Sequence, residues 1–289
     1  MNLTLIINAW LDEDLMFVQQ LGVKHVLAQV DLRQAAAPDW PRESLTLLRN
    51  RIEKAAFSMA GIAVVMQSPA VDGFPGSNAP AALDETAALE TLVRLIEEAG
   101  VSGIQLVRPP DELFHFPARQ KLPPEKLTLV LNRLAEAAAA AGVKLALPTG
   151  GVLSRLKRAQ LLAILQPPCL GLDATPALLL ALLSELPAAG RAADGSQAEA
   201  QGLWDKILLS NLENNLKRGT RPLKTRVDAG AFNIPALCWR LKQAGYSGYL
   251  CLGQQPHWSD DSAGGHRALA FGAGYLQAIL QANSHFPAL

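Results

Sequence analysis

Short apolar runs alternate with amphipathic segments along nearly the whole chain, and this alternation constrains the fold more than any other feature. The runs fall at residues 3–7, 23–30, 61–66, 103–107, 143–147, 170–172, 206–209 and 249–252. They are too short for helices and carry apolar residues on both faces, the pattern of strands buried in a parallel sheet. The segments between them have helical spacing, over 11–21, 44–59, 83–99, 123–141, 154–165 and 176–186, and again before and after the last run. In 44–59 the apolar positions are Leu45, Leu48, Ile52, Ala55 and Ala56, one face of a helix. Ahead of the last run, Asn233 can cap a helix with Pro235 in its first turn and Ile234, Leu237, Cys238 and Leu241 on its apolar face. Several strands begin directly after turns such as Ala141-Gly142-Val143 or Ala244-Gly245-Tyr246, short helix-to-strand links with glycine at the helix end.

About eight strand–helix units occur with no break in 289 residues, close to the ~250 of an ordinary (β/α)8 barrel. Hydrophobic residues make up 49% and charged ones 18%, enough for a large core. A doubly wound open sheet usually has a glycine-rich turn after its first strand, and none follows residue 7 here. The expectation is an α/β chain forming a single (β/α)8 TIM barrel over residues 1–289, with loop excursions at 188–203 and 213–231. Lys plus Arg and Asp plus Glu are 26 each, so no basic excess points to nucleic acid. No apolar run approaches the 18 or more residues of a membrane span, and MNLTLIINAW lacks the basic start of a signal peptide. Cys169, Cys238 and Cys251 sit in apolar runs without a CxxC spacing, which fits reduced core thiols in a cytoplasmic protein.

Barrels of this kind build their sites at the C-terminal ends of the strands. Those ends supply Asn8 and Trp10, Asp31 and Arg33, Gln67 and Asp72, then Arg108, Asp111 and His115. Thr149, Asp173, Asn211, Glu213, Gln254 and His257 complete the ring. Amides, carboxylates and a guanidinium around an apolar barrel suit a sugar, sugar acid or sugar phosphate, whose oxygens need paired donors and acceptors. Asn8, Arg108, Asn211, Gln254 and His257 are the expected substrate-binding residues; Asp31, Asp173 and Glu213 are the expected acid–base groups. Asp173 also fits a plainer role as a cap of the helix after it. Lys217, Arg218, Arg221, Lys224 and Arg226 on the 213–231 excursion could hold a phosphate or carboxylate, or be solvated. Gly264-Gly265 before the last helix fits either an anion-binding helix start or a flexible loop. No GxSxG or Cys–His arrangement marks a nucleophile, and Lys24, Lys144 and Lys206 lie at the wrong ends of strands for Schiff-base chemistry.

F-N-I-P-A-L followed by L-K-Q-A-G-Y-S-G-Y-L-C-L resembles the closing segment of the xylose-isomerase-like TIM barrels, the sugar isomerase/epimerase superfamily. H-R-A-L-A-F-G-A-G-Y-L-Q-A-I-L resembles the final helix of mannonate dehydratases, a branch of that superfamily. The resemblance implies an isomerase, epimerase or dehydratase of sugars, with a divalent metal held by four ligands from strands five to eight. It places Pro148, Asp173, Ser210 or Asn211, and Gly253 at those positions, so only Asp173 matches. No standard metal site is therefore expected. A relocated one would draw on His257, His266, Asp260 and Asp261, or on His115 and Asp111. Two readings follow: an enzyme on a carbohydrate-like molecule, or a barrel that has lost catalysis and serves as a binding or partner protein. The resemblance also allows a homodimer.

Overall fold

All eight apolar runs become strands of one closed parallel barrel. The computed structural model describes residues 1–41, 43–66, 84–114, 124–150, 153–186, 195–218, 221–252 and 265–285. The first half runs β1 (Asn2–Ile7), α1 (Asp12–Gln20), β2 (His25–Asp31), α2 (Leu32–Ala35), α3 (Ser44–Lys54), β3 (Ser58–Val65), α4 (Glu85–Val101) and β4 (Leu106–Arg108). It continues through α5 (Pro124–Ala141), β5 (Lys144–Pro148), α6 (Arg158–Ile164), β6 (Leu170–Ala174), α7 (Pro176–Glu185), α8 (Gly195–Trp204) and β7 (Ile207–Asn211). A hairpin, β8 (Asn214–Arg218) and β9 (Arg221–Thr225), precedes α9 (Ile234–Gln243), β10 (Tyr249–Leu252) and α10 (His266–His285). Around the ring the order is β1-β10-β7-β6-β5-β4-β3-β2.

Register sorts each strand into two faces, because side chains alternate with a period of two. Leu5, Val26, Ile62, Val107, Leu145, Leu172 and Leu250 point out to the helices and belong to the large core. Leu27, Ala63, Leu106, Ala146, Leu209 and Cys251 pack with one another inside the barrel. The interior is narrow on one side: Gly171 of β6 has no room for a side chain, since a Cβ there would lie 2.5 Å from the Lys206 carbonyl oxygen.

Helix ends explain where the strands start. In α4, α5 and α9 a glycine with positive φ (Gly103, 70°; Gly142, 68°; Gly245, 74°) follows the helix. The next residue's N–H then donates back five residues, as Ile104 N does to Ala99 O (2.8 Å), and leads into a strand. The end of α3 uses the same motif without glycine. Ala56 takes φ 64°, Ala56 N donates to Glu53 O (3.0 Å) and Phe57 N to Ile52 O (3.2 Å). The helix expected over 44–59 therefore stops at Lys54, and Ser58 and Met59 already belong to β3.

Both expected excursions contain regular structure. Residues 195–204 form α8, which buries Ala200 and Leu203, and residues 214–225 form the antiparallel β8–β9 hairpin. Asn214, fully buried, holds the base of that hairpin. Its amide donates to Val227 O (2.9 Å) and Phe232 O (3.0 Å), and its Oδ1 accepts from Phe232 N (3.1 Å). The three cysteines are free and buried. Burial pushes the Cys238 thiol up to about 12, as suits a core residue. No helix among the described residues is long and apolar enough to cross a membrane.

Candidate functional site

The polar centre at the C-terminal ends of the strands is built on Arg108, the last residue of β4. Its position follows from register: Ala63 pairs with Arg108, and the pairing of Val107 with Leu145 brings Ala146 alongside. Ala146 in turn pairs with Gly171. Ala63 and Ala146 set no long side chain against Arg108 from either neighbouring strand, and Arg108 is 7% exposed. Its Nε donates to Asp173 Oδ2 at 2.7 Å across two strands. Its Nη2 donates to both oxygens of Asp111, at 3.0 and 3.1 Å, from the single turn of 3-10 helix (Asp111–Phe114) that follows β4. Nη1 makes no hydrogen bond among the described residues.

Asp173 is 2% exposed, and its Oδ1 is buried with no partner among the described residues. Burial pushes its carboxyl above the ordinary range. The Arg108 charge pulls it down without prevailing, and the carboxylates of Asp111 and Glu213 push it further up. For Arg108, burial works against the charge and is outweighed by Asp173 and Asp111, so the guanidinium is held charged more firmly than usual. The expectation that Asp173 caps the next helix does not hold: Thr175 occupies the cap position of α7. The Asp173 carboxylate is turned inward to Arg108 instead, while its backbone oxygen accepts from Thr149 N (3.2 Å) and Thr149 Oγ1 (3.0 Å).

On β7, Asn211 is buried and its Oδ1 accepts from Glu213 N (3.2 Å), a turn that sets Glu213 at the strand end. Glu213 lies within electrostatic reach of Asp173 and of Cys251, which sits deeper in the barrel. Ser210 faces outward, in register with Ala174 and Leu250, so of the two seventh-strand positions it is Asn211 that faces the site. Arg108, Asp111, Thr149, Asp173, Asn211 and Glu213 thus form one arc over β4 to β7.

Asn8 and Asp31 stand on the opposite arc, on β1 and β2. Asn8 Oδ1 accepts from Trp10 N (3.3 Å), and Trp10 lies edge-on to Trp40. Asp31 Oδ1 caps α2 by accepting from Arg33 N (2.9 Å). Gln254 and His257, with Gln67, Asp72, His115, Gly253, Asp260, Asp261 and Gly264, lie outside the described residues. His266 is placed on α10 against α1, bonded to Asp14 (2.8 Å) and stacked on Phe17. The basic side chains of the hairpin strands also lie outside the description; Arg226, just beyond β9, pairs with Asp228 and lies 4.9 Å from the Phe271 ring centroid.

Three of the four ligand positions that the resemblance implies fall among the described residues. Pro148 carries no donor, Asn211 has its oxygen engaged, and the one matching carboxylate holds a guanidinium. No group of three or more His, Cys, Asp or Glu among the described residues is placed to hold a metal ion. Sequence reasoning placed Arg108 and Asp173 in the ring, but not in contact. The missed signal is the pair of small residues, Ala63 and Ala146, on the strands that flank Arg108.

Neither a protein-family model nor a curated protein sequence matches the chain. Solved structures do. A xylose isomerase domain protein from Planctomyces limnophilus superposes with a TM-score of 0.66 at 14% identity over 98% of both chains. Mannonate dehydratase from Streptococcus suis serotype2 gives 0.65 at 16% identity, covering 98% of this chain and 93% of its own. A D-tagatose 3-epimerase-like protein gives 0.58 at 17% identity over 98% of both. At such identities the likeness establishes the xylose-isomerase-like barrel fold.

Proposed function

We propose that the protein binds a polar, carbohydrate-like small molecule (a sugar, sugar acid or sugar phosphate) at the C-terminal mouth of the barrel. The observation that carries this is the arc from Arg108 to Glu213. Donors and acceptors of both signs are buried there at strand ends, where barrels hold their ligands. Solved barrels of the same fold include a mannonate dehydratase and an epimerase-like protein, which supports the ligand class by analogy of fold. If the chain is an enzyme, the reaction is an isomerisation, epimerisation or dehydration that moves a proton at carbon. Asp31, Asp173 and Glu213 are then the candidate bases: Asp31 caps α2, Asp173 pairs with Arg108, and Glu213 stands at the end of β7 within electrostatic reach of Asp173. The second reading, a barrel without catalysis, is favoured by one specific observation: the only matched metal-ligand position is occupied by an ion pair. The balanced charge and the buried free thiols fit a cytoplasmic protein with a small-molecule ligand rather than nucleic acid or a membrane.

The test is a thermal-shift titration with panels of aldoses, ketoses, sugar acids and sugar phosphates. Hits are followed by proton NMR in D2O. A saturable rise in melting temperature with one panel supports the binding reading, and no shift with any panel removes it. Among ligands that bind, solvent deuterium entering at a carbon position identifies an enzyme; its absence identifies a binding protein.

A further inference from the structure

We propose that the Arg108 guanidinium is a built-in cation of this barrel mouth, held by Asp111 and by Asp173, the one residue at a metal-ligand position that the resemblance implies. The proposal rests on reading the mouth as the binding site.

Three independent features support it. The first is the donor set. Asp173, the one residue at a matched ligand position, gives Oδ2 to Arg108 Nε at 2.7 Å, in a pair whose side chains are 2% and 9% exposed. The cation that this aspartate holds is therefore already part of the chain. The second is the cavity. Ala63 and Ala146 flank Arg108, and Gly171, which tolerates no Cβ, lies beyond Ala146 beneath Asp173. The two alanines leave the inner face beside Arg108 free of long side chains, while the space at Gly171 is taken by Leu208. The third is fixation from two directions. Asp173 takes Nε, and Asp111 takes Nη2 through both of its oxygens. A planar guanidinium held in this way has no freedom to turn, and its charge stays where it is placed.

Nη1 remains, with two N–H groups that bond to none of the described residues. It is the atom through which this charge would meet an oxygen of a ligand. A fixed, charged donor aimed at a carbonyl or hydroxyl oxygen stabilises negative charge developing there without reorganisation, as oxyanion-binding groups do. The site would therefore need no exogenous ion to present a positive charge to a polyol.

The test uses the full chain and no saccharide, so its outcome is separate from that of the binding reading. Melting temperatures of the wild type and of Arg108→Ala are measured with Mn2+, with methylguanidinium and with EDTA, and bound Mn2+ is counted by EPR. The expected result is a wild type indifferent to all three additives. Arg108→Ala is expected to melt lower, to recover several degrees with millimolar methylguanidinium or Mn2+, and to lose that recovery when Asp173→Asn is added. Stoichiometric Mn2+ held by the wild type with Arg108 in place would overturn the proposal. So would a folded Arg108→Ala that responds to neither cation. If that variant does not fold, Arg108→Gln carries the same titration and refolding is attempted with methylguanidinium. Recovery of folded protein supports the proposal, and failure to recover any refutes it.

Discussion

A double-mutant cycle on Arg108 and Asp173 measures how far the centre of the site depends on their pairing. Arg108→Met keeps most of the side-chain volume and removes the charge. It leaves a 2%-exposed carboxylate with no donor among the described residues on either oxygen, since Oδ1 already lacks one there. Breaking a buried pair from one side costs about 3–5 kcal/mol, chiefly the penalty of the charge left behind. The lost contact with Asp111 adds little, because that side chain is 44% exposed and such pairs contribute no more than about 1 kcal/mol. Asp173→Asn is milder. Arg108 keeps Asp111, and the asparagine oxygen can still accept from Nε, so about 1–3 kcal/mol is expected for the charge-assisted bond lost. With both changes no buried charge remains, and the double variant should fall short of the sum of the singles by about 1–3 kcal/mol. Urea unfolding followed by far-UV circular dichroism at pH 7 reads all four corners of the cycle, with the slope checked for constancy. Additivity within about 0.5 kcal/mol, or an Arg108→Met cost below about 1 kcal/mol, would refute the view that this pair is a mutually dependent unit.

Two further outcomes follow from local structure. Ala56→Gly should raise the urea midpoint by about 0.5–1 kcal/mol of stability. It relieves an L-residue at φ 64°, which costs roughly 1–2 kcal/mol, against about 0.4–1 kcal/mol of added chain entropy in the unfolded state; a lower midpoint would contradict this reading of the α3 terminus. His25 opens β2 with its ring edge-on to Tyr249 and its Nδ1 buried without a partner, and burial and then the charge of Lys24 lower its pKa from 6.5. The unfolded chain therefore takes up a proton near pH 6.5 that the folded chain resists, so His25 contributes stability above that pH which is lost as pH falls through and below it. The fall in stability between pH 7 and 5 should flatten in His25→Gln, and an unchanged slope would show that His25 does not contribute.

How much of the fold was legible depended on whether a local signal marked each boundary. Gly142 and Gly245 announce the ends of α5 and α9 because glycine is the residue that adopts positive φ cheaply, whereas Gly103, expected to open the fourth strand, closes α4 and the strand starts at Leu106. Ala56 performs the same turn without announcing it, so α3 seemed to run into β3. The 195–204 helix was hidden by composition. With Ala, Gly, Gln and Ser dominating and only Ala200 and Leu203 buried, it carries almost no amphipathic pattern and owes its place to packing against α6 and α7. The β8–β9 hairpin was hidden by its charges, since Lys217, Arg218, Arg221 and Lys224 read as a solvated loop. Its base is fixed by Asn214, whose three backbone bonds reach 13 and 18 residues along the chain.

The site divides in the same way. Strand-end residues were legible because the last residue of a buried strand that alternates inward must reach the mouth, and that argument needs only the strand. The bond between Arg108 and Asp173 spans 65 residues and depends on the relative stagger of β4, β5 and β6, which no single segment encodes. What the chain does encode locally is the absence of bulk beside Arg108: Ala63 and Ala146, where larger apolar residues would fill an ordinary barrel interior. Small residues at interior positions of adjacent strands tend to destabilise, since each forgoes buried apolar surface worth about 25 cal/mol per Å2. Alanines on β3 and β5, on either side of β4, make sense once the long side chain of Arg108 lies between them. In this barrel, inward alanines on both strands beside an inward arginine are thus the legible mark of its place.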